Sequence, residues 1–442
     1  MNADGIHIGF VVCLAALPLL FIAIAIWANV QNRVISRHND EVFRETHLSS
    51  RTWTFCPHCN HLVWLKTFLC DQCGEQNELM PDKTQGEDRV VRVIREVPCR
   101  RCGCALSAVH FSGREELRAI CPVCDAPLGV QAGVFQEMIV PIIGRRATGK
   151  SAYLAALHGE LRRYFDGRIS LPFPGVASQV EEHIRQYNNG ENIRQTVLEW
   201  PSGFVVDIAN TDETTCNALP GIRLILYDVA GETYDDERNL DHLKYFDVMD
   251  ALIILVDPFT LLDVRREYAE QLEPWKRSDF QTGQVGDFED IVSRIKNGLV
   301  EKYRYKDYDY GHHDDMPTHP YLKRGEKHFA RCAVVIAKAD AFDLDAHIGE
   351  EAVLRKQRSR GDLSAADALD LVCREYLVKR GCGNELLILE DLFQAVRCFS
   401  VSAFGSMPGQ PKDGAKGYQA KRVLSPLLWC LRQQYGKPGD DA

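Results

Sequence analysis

MIVPIIGRRATGKSAYLAALHGEL, residues 138–161, passes from an apolar run through a glycine-bounded turn into a helical pattern. Gly144, Arg145, Arg146, Ala147, Thr148, Gly149, Lys150 and Ser151 spell G-x-x-x-x-G-K-S. At that spacing backbone N–H groups wrap a di- or triphosphate, the lysine reaches the β/γ-phosphates and the serine hydroxyl ligates Mg²⁺. The helix that follows turns the positive end of its dipole toward the same phosphates. Short glycine patterns arise by chance, so the flanks decide. Met138 to Ile143 reads as a buried strand, and Ala152, Leu154, Ala155, Leu157 and Leu161 recur at helical spacing. Pro141 cannot donate to a strand ladder and predicts a bulge there.

Downstream, strand and helix signals alternate, which predicts an α/β domain with a mostly parallel sheet. GFVVDIAN (203–210) and GIRLILYDVAGE (221–232) read as neighbouring strands, the second ending in Asp228-Val229-Ala230-Gly231. An aspartate there holds Mg²⁺ through water and a glycine N–H meets the γ-phosphate. ALIILVDP (251–258) is a further buried strand. CAVVIAKAD (332–340) ends in Lys338-Ala339-Asp340, and CFSVSAFG (398–405) ends in Ser402-Ala403. The long segments 259–328 and 341–390 exceed a minimal domain and predict added helices or a lid. Within the first, KYRYKDYDYGHHDDMP reads as a solvated loop rather than a metal site. The run YQAKRVLSPLLWCLRQQYG predicts a last helix against the sheet.

Taken in order, G-x-x-x-x-G-K-S, D-x-x-G, x-K-x-D and S-A at the ends of predicted strands resemble the signature of translation-factor-class GTPases with a Ras-like domain, over residues 136–436. The resemblance implies a P-loop fold that binds GTP or GDP with Mg²⁺ and hydrolyses GTP. It further implies that Asp340 pairs with guanine N1 and N2, that Lys338 packs over the base, and that Ala403, after Ser402, offers its N–H to guanine O6. Ala337 stands where the family has Asn or Thr. Glu232 takes the place of the Gln that orients the attacking water in well-known relatives, which predicts slow intrinsic turnover. Arg146 occupies a position where small relatives often carry Gly, and is a candidate arginine finger in cis or an exposed side chain. Thr196 is the candidate switch threonine on Mg²⁺, with Thr211, Thr214 and Thr215 as alternatives.

Residues 6–28, IHIGFVVCLAALPLLFIAIAIWA, contain no Asp, Glu, Lys or Arg, and at 1.5 Å per residue their length spans a hydrocarbon core of about 30 Å. The leader lacks the positive region of a cleaved signal peptide, so a transmembrane helix is the direct reading. Arg33, Arg37 and Arg44 follow the span, which predicts a single pass through a bacterial inner membrane, N-terminus outside and the bulk of the chain cytoplasmic. Residues 29–50 continue as a stalk. The formal charge of −10 argues against a wholly basic nucleic-acid surface.

Nine of the 16 cysteines fall between residues 56 and 124. Cys56-Pro-His-Cys59 precedes Cys70-Asp-Gln-Cys73, and Cys99-Arg-Arg-Cys102 precedes Cys121-Pro-Val-Cys124. Two C-x-x-C turns on facing hairpins close a tetrahedral Zn²⁺ site, so the segment is expected to form two successive zinc ribbons, 51–80 and 96–130, with one Zn²⁺ each. Disulfides are disfavoured in reducing cytosol. Cys104 is a candidate replacement for Cys102, and His58 or His61 for a first-site cysteine; the alternative is that all three are surface residues. Such ribbons serve to dock a partner. Arg92, Arg95, Arg100, Arg101, Arg114 and Arg118 leave nucleic-acid contact open. The whole layout is more distantly similar to the dyad-occurring GTPases of bacterial conflict and signalling systems. Three functional readings follow: a membrane-anchored GTPase switch acting on a protein effector, a non-hydrolysing nucleotide-binding scaffold, and an ATPase, which D-x-x-G and x-K-x-D oppose.

Overall fold

Two apolar, fully buried strand segments organise the larger part of the molecule. In a computed structural model, every residue of Ala251–Val256 is buried, as are Cys332 to Ile336. Strands buried on both faces belong inside a parallel sheet covered by helices. The structure describes residues 22–27, 30, 53–56, 58–59, 62–64, 67–70, 72–78, 97–106, 118–129, 136–166, 169–170, 178–191, 203–209, 221–228, 249–272, 284–300, 327–405 and 418–435. Two compact units emerge, one of residues 1–56, 62–137 and 209–222, the other of 57–61, 138–208 and 223–442.

The second unit is built on a seven-stranded sheet. Its strands are β1 (Gln136–Ile143), β2 (Ile169–Ser170), β3 (Gly203–Ala209), β4 (Gly221–Asp228), β5 (Ala251–Val256), β6 (His328–Ile336) and β7 (Phe393–Ser400), in the spatial order β7-β6-β5-β1-β4-β3-β2. β1, β5, β6 and β7 run parallel, in register at Ile142 with Ile253, Val256 with Ile336 and Ile336 with Ser400. β2 closes the far edge antiparallel to β3. The central strand continues through Pro141, and its pairing with β5 is in register beyond it. On β3 and β4, Arg223 holds Asp207 in a bidentate ion pair of 2.8 and 2.9 Å. Both side chains are almost fully buried, an arrangement that needs each charge to satisfy the other.

Helix α1 (Lys150–Tyr164) buries Ala152, Tyr153, Leu154, Ala155, Ala156, Leu157 and Leu161. The other named helices are α2 (Ser178–Asn188), α3 (Asp287–Val300), α4 (Ala365–Lys379), α5 (Gly383–Leu392) and α6 (Ser425–Tyr435). α3 lies in the first long insertion. The second insertion is wholly helical in its described elements, with short helices Leu344–Ile348 and Glu350–Ser359 ahead of α4 and α5. The expected last helix begins at Ser425 rather than Tyr418, and Val423 and Leu424 precede it.

In the first unit, Trp53–Phe55 pairs with Leu62–Trp64, Val97–Pro98 pairs with Ala105–Leu106, and Thr67–Leu69 pairs with both Gln76–Glu78 and Arg118–Ala119. Among the described residues no helix is long and apolar enough to cross a membrane. Of the span expected over 6–28, residues 22–27 are described and helical; the rest of it, most of the stalk, and the loop 302–317 lie outside the described residues.

Candidate functional site

Parallel strands deliver their C-terminal ends to one edge of the sheet, and the turns that leave β1, β5, β6 and β7 meet there. Backbone bonds continue the ladders past the strands: Ala337 N–H donates to Val256 O (2.9 Å), Val401 N–H to Ile336 O (2.9 Å) and Ala339 N–H to Val401 O (3.1 Å).

The turn after β1 has the shape its sequence implies. Gly149 sits at φ 92° and opens α1, a left-handed position that glycine fills without steric cost. At Gly144 a Cβ would stand 2.7 Å from Thr148 Oγ1 and 3.2 Å from the Leu255 carbonyl oxygen, so the close approach of turn and β5 requires glycine. Thr148 folds its hydroxyl onto Arg145 O at 2.6 Å. Lys150 Nζ lies across the turn, donating to Gly144 O and, at 3.3 Å, to Arg145 O. α1 starts with no side-chain cap and no acidic residue in its first turn, leaving a helix N-terminus suited to an anion. Ser151 is the second helical residue and is half-buried.

Lys338 joins this turn to the two neighbouring strands. Its φ of 54° is unusual for a side-chain-bearing residue. From that position Nζ donates to Ala147 O at 2.8 Å and to Asp257 Oδ2 at 2.7 Å. The pair is 16% and 0% exposed, so it works in a poorly solvated setting. Asp257 also accepts from Phe259 N–H at 3.0 Å, capping the short turn Pro258–Thr260. Sequence reading missed Asp257. Its signal was an acidic residue directly after an apolar strand, which the following proline disguises as ordinary turn chemistry.

Two residues on, Asp340 lies beside Ser402, whose hydroxyl helps hold the Asp340 carboxyl ionised. Burial pushes that carboxyl above its usual range, while Ser402, its own backbone N–H and Lys421 pull the other way. Ser402 is buried, accepts from Gly405 N–H at 2.7 Å and is bridged to Lys421 by backbone bonds of 3.0 and 2.8 Å. Ala403 turns its carbonyl to the Tyr187 hydroxyl at 2.7 Å, and Tyr187 on α2 packs with Phe404 and Tyr418. This aromatic brace was also missed, because its members are far apart in the chain.

Arg145 and Arg146 diverge. Arg145 pairs with Asp287 (3.3 Å) and Asp290 (3.7 Å) at the start of α3, whereas Arg146 is exposed. Asp228 ends β4 on the same sheet. Gly231, Glu232 and Thr196 lie outside the described residues.

The cysteines gather in two groups of four whose sulfurs all lie within 4.8 Å of one another: Cys70, Cys73, Cys99 and Cys102, and Cys56, Cys59, Cys121 and Cys124. All eight expected ligands are used, but not in successive ribbons. The inner two turns pair with each other and so do the outer two. The reason is strand pairing: Phe68 faces Ala119 and Leu69 faces Arg118 in an antiparallel ladder, which sends Cys70 off one end and Cys121 off the other. Sulfur separations of 3.7 Å (Cys56 to Cys124) and 3.6 Å (Cys70 to Cys102, Cys73 to Cys99) fit the roughly 3.8 Å edge of a tetrahedron with 2.3 Å Zn–S bonds. Gly74, Gly103 and Asp125 follow three of the turns with positive φ, and each N–H donates back to the first cysteine carbonyl. Cys104 belongs to neither group.

The central tie gives a direct prediction. Lys338→Met removes the ammonium from a buried carboxylate, a change that costs about 3–5 kcal/mol. The melting temperature should fall by roughly 10 °C, more than for Arg146→Ala on the surface. Equal melting of the two variants would mean that the tie carries no stability.

No family model matches the chain. A curated relative, described as a putative ESX-1 scaffolding and assembly protein, SaeC, from Mycolicibacterium smegmatis, is 22% identical over 335 residues, covering 70% of this chain and 78% of its own. Among solved structures, the Arl6 BBS3 small GTPase of Trypanosoma brucei with bound GppNp aligns over 67% of this chain and 97% of its own at 11% identity and a TM-score of 0.26. At these levels the reading of the site rests on its own residues.

Proposed function

We propose that the α/β unit binds a guanine nucleotide with Mg²⁺ and hydrolyses GTP to GDP and phosphate as a molecular switch. The observation that carries this reading is the convergence of three elements at one sheet edge: the Gly144–Ser151 turn, the Lys338 bond to Ala147 within it, and Asp340 two residues beyond Lys338. A phosphate cradle and a carboxylate lie at the ends of β1 and β6, which flank β5 in the sheet. In this reading Lys150 leaves the loop carbonyls for the β/γ-phosphates, and backbone N–H groups of residues 145–151 surround them. The Ser151 hydroxyl and Asp228 hold Mg²⁺, with Thr196 as the proposed third protein group, and the Gly231 N–H meets the γ-phosphate. Asp340 accepts from guanine N1 and N2, and the Ala403 N–H faces O6. Glu232 accepts a hydrogen bond from the attacking water but offers no amide donor, which makes intrinsic turnover slow.

Each cysteine group holds one Zn²⁺ in the same proposal, forming a rigid surface for a protein partner. Residues 6–28 anchor the chain in a membrane with its bulk on the cytoplasmic side, a reading that rests on sequence alone. A second reading keeps nucleotide binding without turnover, as a membrane scaffold. The description of the curated relative as a scaffolding and assembly protein favours it. Turnover of GTP by the purified protein separates the two readings.

Base choice is tested by Asp340→Asn, which reverses the hydrogen-bond pattern offered to the base edge: affinity for GTP should fall and affinity for xanthosine triphosphate should rise. Equal binding of ATP and GTP by the unmodified protein would sink the guanine assignment. Only the ionised carboxylate accepts both guanine protons, and burial raises its pKa. Guanine affinity should therefore drop on acidification at a pH above the ordinary aspartate value of 3.8.

Arg146 supplies transition-state charge in cis in this proposal. Arg146→Ala should then lower turnover by roughly 10³-fold with GTP affinity nearly unchanged. Unchanged turnover would discard that role, and lost binding would make Arg146 a ground-state phosphate ligand.

A further inference from the structure

We infer that the two cysteine groups load zinc in a fixed order: the outer group, Cys56, Cys59, Cys121 and Cys124, holds its ion only when the inner group, Cys70, Cys73, Cys99 and Cys102, is already metallated. The inference rests on the proposal that both groups take Zn²⁺, and concerns how one site depends on the other.

The dependence is asymmetric because the strands are. Cys70 and Cys73 sit in the turn of a hairpin, Thr67–Leu69 against Gln76–Glu78. Cys99 and Cys102 sit in the turn of another, Val97–Pro98 against Ala105–Leu106. The inner group therefore draws on two hairpins that each pair within themselves. The outer group draws on one such hairpin, Trp53–Phe55 against Leu62–Trp64 around Cys56 and Cys59, and on a turn closed by the isolated bridge of Ile120 to Pro127. Cys121 follows Arg118–Ala119, a two-residue strand whose one neighbour in its sheet is Thr67–Leu69 of the inner hairpin. A two-stranded hairpin of this length is marginal alone. When the inner ion is absent the hairpin loosens, and the strand that sets Cys121 loses its support.

Asn77 strengthens the inner group alone. Buried at 2% exposure on the hairpin that carries Cys70 and Cys73, it donates to Cys99 Sγ at 3.4 Å and to Glu75 O at 2.9 Å, and accepts from Arg100 N–H at 2.8 Å. One amide thus ties the two inner turns and gives a thiolate a hydrogen bond, the kind of outer-shell contact that fixes metal ligands. At the outer group the corresponding described bond, Val123 N–H to Cys121 Sγ at 3.4 Å, stays within a single turn. Chain topology adds to the order. Closing the outer group alone restrains 60–120 as one loop, whereas the metallated inner group leaves 60–69 and 103–120, about half as much chain, which favours closure about threefold.

Zinc content of the full-length reduced protein tests this. The unmodified chain should hold about two zinc ions per molecule. Cys59→Ser with Cys124→Ser should leave about one, and Cys73→Ser with Cys99→Ser should leave almost none. One ion retained by the second variant would overturn the order. A count near zero in the unmodified protein would instead overturn the zinc reading beneath it. Asn77→Ala keeps all eight thiolates and covers the case in which the double variants do not fold. A chelator should then strip both ions together, roughly 10- to 100-fold faster than from the unmodified protein. Loss of one ion at the faster rate and one at the original rate would overturn the coupling.

Discussion

Lys338 reaches from the end of β6 past β5 to the phosphate turn, and its ammonium is shared between the Ala147 carbonyl and the Asp257 carboxylate. The rest of the site depends on that bond. It fixes the turn between Gly144 and Gly149 through the Ala147 carbonyl. It also holds Lys338 itself at positive φ, so that Asp340 leaves the turn in a set direction toward Ser402. Phe342 is likewise at φ 53° and packs against Phe259 and Tyr268. Two unfavourable backbone positions flank the carboxylate, and each is held by contacts to the segment that follows β5. Backbone strain of this kind persists where its surroundings over-determine it.

Much of this was legible in the sequence. The runs 251–256 and 332–336 could only be interior parallel strands, because nothing in them suits solvent. The G-x-x-x-x-G-K-S octet lay between a strand and a helix, as a phosphate turn requires. Asp340 and Ser402 were found from their places after two such strands, and the Ser402 hydroxyl helps set the ionisation of the Asp340 carboxyl. What escaped was long-range. Asp257 reads as the start of a turn, Tyr187 lies in a polar helix with no periodic signal of its partners, and the pairing of Arg145 with Asp287 joins the phosphate turn to a residue inside the first insertion.

The cysteine pairing shows the same division. The chemistry of eight thiolates in four C-x-x-C turns was evident from spacing, while the partner of each turn was not. Adjacent turns invite adjacent pairing, yet a short antiparallel ladder between Thr67–Leu69 and Arg118–Ala119 overrules it. Three-residue strands carry no periodicity that a sequence reading can use, so register enters only with the folded chain.

In the proposed function the phosphate turn and the two loops carrying Asp340 and Ala403 form a single guanine-nucleotide site. Hydrogen exchange of the unmodified protein with Mg²⁺ and GDP, set beside Mg²⁺ and ADP, addresses this directly. GDP should slow exchange in residues 144–151, 337–341 and 402–404 together, with ADP leaving the last two segments unchanged. Protection of the phosphate turn alone, or equal protection by both nucleotides, would contradict it.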